Sequence, residues 1–222
     1  MRAQPRPRYI ACVTVPTTPP RKRDGEATRQ KLLRAALDLY TTIGFRGTTT
    51  PAIAARAGVA EGTIYRHFTS KEHLLNEVYR GAQKWATGII REVEEQAHGA
   101  RAPERLQRVA RRFFEAAERD PAALRMLLFT PAEKSLDEKS RDAAREFRNG
   151  LQQVVASGKS DGLVRPGPAD LWAQAWLSLV AFAAEKVASR EWPPDHAHLQ
   201  LMIDSAWDAV SSDARVRASG DQ

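Results

Sequence analysis

The chain of 222 residues is 42% hydrophobic and 27% charged, the balance of a soluble globular protein and not of a disordered or membrane-embedded one. Its one cysteine, Cys12, excludes an intramolecular disulfide framework and fits a cytoplasmic location. The net charge of +7 is unevenly placed: residues 1–20 hold three Lys or Arg and no acid, residues 21–80 eleven against six, and residues 81–222 twenty against twenty-one. The positive excess therefore lies in the first eighty residues, as a footprint for a phosphate backbone requires.

Residues 1–25 carry five prolines and six Arg or Lys around one apolar run, Tyr9 to Val15. That run is too short for a secretory leader and is followed by no small-residue cleavage site. A disordered basic arm is expected, with Arg21, Lys22 and Arg23 either reaching DNA beside a groove or only solvating the tail. Glu26 to Ile43 then repeats Leu32, Leu33, Ala36, Leu37 and Tyr40 at helical spacing and ends at Gly44, with Phe45 returning to the core.

Residues 48–68 predict two short helices joined by a tight turn. Thr50 before Pro51 supplies a capping oxygen and a first-turn residue that needs no backbone donor. Ile53, Ala54 and Ala57 share one face, and Gly58 stands where the helix must stop in a left-handed conformation. Val59 plugs the turn, and Ile64 and Phe68, four apart, give the second helix its inner stripe. Gly62, Thr63, Tyr65, Arg66 and His67 are left outside it, a set wrong for a core and right for the major groove.

The string Ile53-Ala54-x-x-Ala57-Gly58-Val59-x-x-Gly62-Thr63-Ile64-Tyr65-x-His67-Phe68-x-Ser70-Lys71-Glu72-x-Leu74 closely resembles the DNA-binding motif of the tetracycline-repressor (TetR) family. The resemblance runs from about Glu26 to Tyr79; beyond it the similarity is one of helical layout. It implies an all-α fold with an N-terminal three-helix helix-turn-helix domain (26–70) and a larger helical ligand-binding and dimerisation domain (71–212), flanked by the arm (1–25) and a disordered tail (213–222). It also implies that Thr48, Gly62, Thr63, Tyr65, Arg66, His67 and Lys71 meet DNA, with Thr48 and Lys71 on phosphates. Ala60 departs from the family, which usually has Ser or Thr there; such a cap is worth ~1 kcal/mol, so the second helix is expected to fray without DNA.

Ser70 is expected to cap a long connecting helix over 71–97 with the stripe Leu75, Val78, Ala82, Trp85, Ile89 and Val93. In the resembling family this helix joins head to body and shifts when a ligand binds. Gly81 and Gly88 in its interior each cost roughly 1 kcal/mol against alanine, and reflect either close packing or a soft point. Further amphipathic runs follow at Pro103 to Arg119, after Asp120-Pro121, and at Leu136 to Ser157 with Gly158 as its stop. A turn-rich connector at 162–168 leads to Ala169 to Ala188, apolar nearly all round but too short for a span of about 20 residues. With Leu199, Met202, Ile203, Ala206 and Val210 it is the candidate homodimer interface. No stretch alternates with period two, so no sheet is expected.

Chemistry-bearing patterns are few. Gly158-Lys159-Ser160 has the tail of a phosphate loop without its first glycine or preceding strand. His196, His198 and Asp195 are a polar cap before the last helix rather than a metal site, and no nucleophile stands beside a base. No cofactor, metal or catalytic residue is assigned. The expectation is a cytoplasmic, ligand-responsive DNA-binding regulator, most often a repressor in this family, working as a homodimer on a palindromic double-stranded DNA operator, with no membrane partner. Two alternatives are a helical enzyme carrying a DNA-binding head and a constitutive DNA binder without a ligand. Phe113, Phe114, Met126, Phe129, Phe147, Trp172 and Trp176 exceed the needs of helix packing and are the candidates to line a largely apolar site for a small-molecule effector. About half of them are expected to be plain core, given how such residues are usually buried.

Overall fold

The computed structural model describes residues 20–212 apart from His98 and Thr130; the arm before Pro20 and the tail after Ser212 lie outside the described residues. The described residues form α1 (Pro20–Thr42), α2 (Gly44–Gly47), α3 (Thr50–Ala57), α4 (Glu61–His67), α5 (Lys71–Gln96), α6 (Ala102–Arg119), α7 (Pro121–Leu128), a 3-10 turn (Glu133–Ser135), α8 (Glu138–Ser160), α9 (Ala169–Ala188) and α10 (Ala197–Asp208). The fold is all-α as expected; among the described residues the one strand-like pairing is an isolated bridge between Val164 and Ser211.

Differences from expectation fall at helix ends. Among the described residues α1 already runs from Pro20, six residues before Glu26. It gives way at Gly44, whose φ of +78° favours glycine. α2 was not foreseen: four residues are too few to show a period. Gly158 does not stop α8, which runs to Ser160. A Cβ at Gly158 would come within 2.6 Å of Ala102 Cβ and 3.0 Å of Val164 Cγ2, so this glycine lets α8 approach the start of α6. At Gly81 and Gly88, by contrast, a Cβ would meet nothing within 4 Å, and the close-packing explanation fails for both.

The chain divides into two compact units, one ending at Gly81 and one from Ala82 onward, with α5 running through the boundary. In the first, α1 packs on α2 and α3, and α3 on α4, around Leu32, Ala36, Tyr40, Ile53, Ile64, Phe68 and Leu74. In the second, α9 packs against α6, α7, α8 and α10. Trp176, Val180 and Ala183 on α9 are buried with Leu106, Val109 and Phe113 of α6 and Leu151 and Val154 of α8. Burying each large side chain contributes roughly 1.5–3 kcal/mol.

α9 is not covered on all sides. Leu171 and Phe182 on α9 and Leu201 on α10 stay more than half exposed. Ala183, in contrast, is fully buried inside its own protomer. No helix among the described residues is long and apolar enough to cross a membrane.

Candidate nucleic-acid interface

The helix-turn-helix is closed by backbone chemistry at Gly58. Its φ is +68°, its N–H donates to Ala55 O at 3.1 Å, and the Val59 N–H donates to Ala54 O at 3.0 Å. These two bonds satisfy the last carbonyls of α3 and reverse the chain within two residues. Val59 itself is only half buried. The cap of α3 is Thr49, one residue before the one expected: its Oγ1 accepts from Ala52 N at 3.3 Å. α4 starts at Ala60 without a side-chain cap, and the Thr63 N–H turns back to Ala60 O at 2.9 Å.

Ile64 and Phe68 are buried, which fixes the rotation of α4. Gly62, Tyr65 and Arg66 are then exposed, and Thr63 and His67 half-exposed. Tyr65 OH lies 3.0 Å from Thr50 Oγ1, which had been assigned only the cap and instead reaches across to α4.

Two expected phosphate contacts need correction. Thr48 is fully buried, and its Oγ1 donates to Gly44 O at 2.8 Å, so its hydroxyl completes α2 and is not presented outward. Lys71 Nζ donates to Phe45 O at 3.0 Å and Thr48 O at 2.9 Å and sits 4.2 Å from the Phe45 ring centre. Two of its three donors thus close the C-terminal end of α2, where a cation is favoured. Tyr40 OH donates to the Lys71 carbonyl at 3.2 Å. Burial raises the Tyr40 phenol well above its ordinary range, with Glu72 adding to the effect.

α5 opens on Ser70, whose Oγ accepts from His73 N at 3.1 Å as expected. Below it, Glu77 pairs with Arg29 of α1 and Arg80 of α5. Burial pushes the Glu77 carboxyl up, but the Arg80 and Arg29 guanidinium groups outweigh it and hold it below the usual carboxylate range.

In the second unit, Phe113, Met126, Phe147 and Trp176 are buried. Phe113 meets Phe147 edge-on at 6.4 Å and Trp85 at 6.5 Å. Phe129 is half-buried at the end of α7. Trp172 is occupied elsewhere: its Nε1–H donates to Pro166 O at 3.3 Å, and Arg165 stacks 5.3 Å from its ring. Aromatic residues alone do not reveal two buried polar groups on α5, on a different face from Trp85. Gln83, 3% exposed, donates from Nε2 to Leu127 O at 3.3 Å, and Thr87 Oγ1 donates to Gln83 O at 3.0 Å. His196 Nδ1 accepts from His198 N at 3.2 Å, capping α10. Among the described residues no three His, Cys, Asp or Glu cluster as metal ligands do.

A tight turn between two short helices, the second with its polar face outward and a basic surround, defines a helix-turn-helix DNA-binding protein. Residues 32–78 match the family "Bacterial regulatory proteins, tetR family". The chain is 32% identical over 143 residues to the HTH-type transcriptional repressor KstR2 of Mycobacterium tuberculosis, covering 62% of this chain and 70% of that one. It is 27% identical over 139 residues to the fatty acid metabolism regulator protein of Bacillus subtilis, covering 62% and 71%. Its fold is similar to that of the transcriptional regulator FadR of Bacillus subtilis in complex with stearoyl-CoA, with a TM-score of 0.64, 20% identity, and coverage of 81% and 97%. The chain belongs to the TetR family and is a DNA-binding transcriptional regulator.

Proposed function

We propose that this protein is a repressor that grips a palindromic operator as a homodimer and releases it on binding a compound with a long apolar acyl chain, such as a fatty acyl-CoA. The observation that carries the DNA half is the outward set Gly62, Thr63, Tyr65, Arg66 and His67 around the buried Ile64 and Phe68. Thr50 joins that set through Tyr65. Two heads spaced about 34–36 Å apart would read successive major grooves, which is what a twofold dimer supplies.

The effector half rests on the buried aromatic group Phe113, Phe147 and Trp176 and on the stearoyl-CoA complex of the FadR neighbour. The experiment is direct. A duplex selected by the protein from a random library is titrated by fluorescence anisotropy with and without stearoyl-CoA. Recovery of a palindrome that is released by stearoyl-CoA supports both halves. Failure to select any sequence overturns the operator, and a selected duplex that stays bound overturns the acyl effector.

A further inference from the structure

A capping box pairs the capping residue with a Glu or Gln three positions on, whose side chain reaches back to a backbone N–H. In this chain the sequence is Ser70-Lys71-Glu72-His73, with histidine in the third position. Half of the box is built, and the other half is shifted by one residue to the N–H before the cap. His73 N donates to Ser70 Oγ at 3.1 Å, and His73 Nδ1 accepts from Thr69 N at 3.1 Å, with Thr69 Oγ1 3.2 Å away. Thr69 is the first residue beyond Phe68, the C-cap of the recognition helix α4. The His73 ring also meets Phe68 edge-on at 5.7 Å.

From this geometry we infer that His73 is a positioning residue for DNA binding, holding the exit of the recognition helix by a bond that a proton breaks. The bond to Thr69 requires Nδ1 without hydrogen, which places the proton of the neutral ring on Nε2. That atom faces Glu77 Oε1 at 3.9 Å. An imidazole that gains a second proton has no acceptor left, and the Thr69 N–H loses its partner. Gln in the same position would keep its acceptor, whereas an imidazole that has gained its second proton would not.

A protonated Nδ1 would donate to Thr69 Oγ1, 3.2 Å away, and leave the Thr69 N–H to water. Glu77 attracts the protonated ring, but it is already shared between Arg29 of α1 and Arg80 of α5, and Arg29 also stacks on Phe68 at 5.4 Å. His67, at the end of α4, has its ring centre 6.3 Å from that of Phe68. Protonation of the His73 ring therefore removes the acceptor that ties the Thr69 N–H to α5 and loosens the exit of the recognition helix. Because the DNA face of α4 is carried by seven residues between Ala60 and Phe68, loosening one end is felt at the bases.

The test uses the full chain and the duplex selected by the wild-type protein, so failure to obtain a duplex would count against DNA recognition itself and not against His73. Affinity is measured from pH 8 to pH 6 for the wild type, His73→Gln and His73→Ala. His73→Gln should match the wild type at pH 8 and, at pH 6, bind a few-fold more tightly than it, the low end expected for one hydrogen bond whose N–H is open to water. His73→Ala should be weak at both. Exchange protection of the Thr69 amide, corrected for intrinsic rates, should fall with pH in the wild type and not in His73→Gln. Parallel pH profiles for wild type and His73→Gln, or full affinity of His73→Ala at pH 8, would overturn the assignment.

Discussion

The hydroxyl of Tyr65 on the recognition helix lies 3.0 Å from Oγ1 of Thr50, the first residue of α3. This bond joins the two helices of the motif on the outside, where Ile53 and Ile64 join them on the inside. It also aims a phenol that is 57% exposed, and a rigid aromatic held in place loses less freedom on docking. Tyr65→Ala is expected to lower specific binding by about 1–3 kcal/mol. Tyr65→Phe and Thr50→Val each break only the hydroxyl pair, so their effects on operator affinity should overlap in a double-mutant cycle and not add. Additive losses would show that the two hydroxyls act on DNA independently.

Lys71 is expected to matter to stability as well as to binding. Its ammonium closes the carbonyls of Phe45 and Thr48, and charged hydrogen bonds of this kind are worth about 1.5–3 kcal/mol. Lys71→Met keeps the stem over Phe45 and removes the donors. Thermal unfolding of this variant should start at a lower temperature than in the wild type. A salt slope of DNA binding reduced by about one unit would add a phosphate contact through the third donor. An unchanged unfolding temperature would show that the carbonyls are satisfied without it.

The parts of this site legible in sequence were those with a period or a special residue. Gly58 announced a left-handed turn and Ile64 with Phe68 announced a buried stripe, and both stand as expected. Thr48, Thr49 and Thr50 were not separable, because three adjacent threonines offer the same chemistry and only the fold decides which is buried, which caps and which pairs with Tyr65. Lys71 misled for a similar reason: a cation near a helix start is as well placed for a distant carbonyl as for a phosphate, and sequence does not bring Phe45 near it. The bond of His73 to Thr69 depends on ring orientation, which no spacing in the sequence carries.

Acid should weaken the head through Glu77. A carboxyl held below its ordinary range contributes stability that is fully present above the unfolded value, about 4.3, and is lost as pH falls through the lower folded value. The wild type should therefore lose stability more steeply than Glu77→Gln between about pH 5 and pH 3, with the variant already less stable at pH 7. Urea midpoints measured across that window decide it, and parallel curves would assign no linkage to this network.

The dimer should be sensitive at Phe182, not at Ala183. A charge at Ala183, fully buried within one protomer, would damage that protomer's own core, whereas Phe182, Leu171 and Leu201 leave an apolar surface open on α9 and α10. Phe182→Glu is expected to give a folded monomer with unchanged helicity and weakened operator binding, because an unpaired carboxylate in an apolar interface is strongly unfavourable. Sedimentation of parent and variant provides the measurement, and a parent that sediments as a monomer would remove the dimer from the proposal.

An acyl effector, finally, must compete for the space of the aromatic group in the second unit. Phe113 contacts both Phe147 and Trp85, and Gln83, two residues before Trp85 on α5, holds the end of α7 through Leu127 O. A ligand that enters between Phe113 and Phe147 would move Trp85 and strain the Gln83 bond, a route from the body into the helix that begins at Ser70. Each tenfold loss of operator affinity needs about 1.4 kcal/mol of preference for the released arrangement. Stearoyl-CoA should shift tryptophan emission, and Trp85→Phe should remove most of that shift while leaving release intact. Gln83→Leu should leave stearoyl-CoA binding in place but lower its effect on operator affinity. A Gln83→Leu variant released as fully as the parent would show that the Leu127 bond carries none of the coupling. An emission shift that survives both Trp85→Phe and Trp176→Phe would move the ligand away from the Phe113 and Phe147 pair.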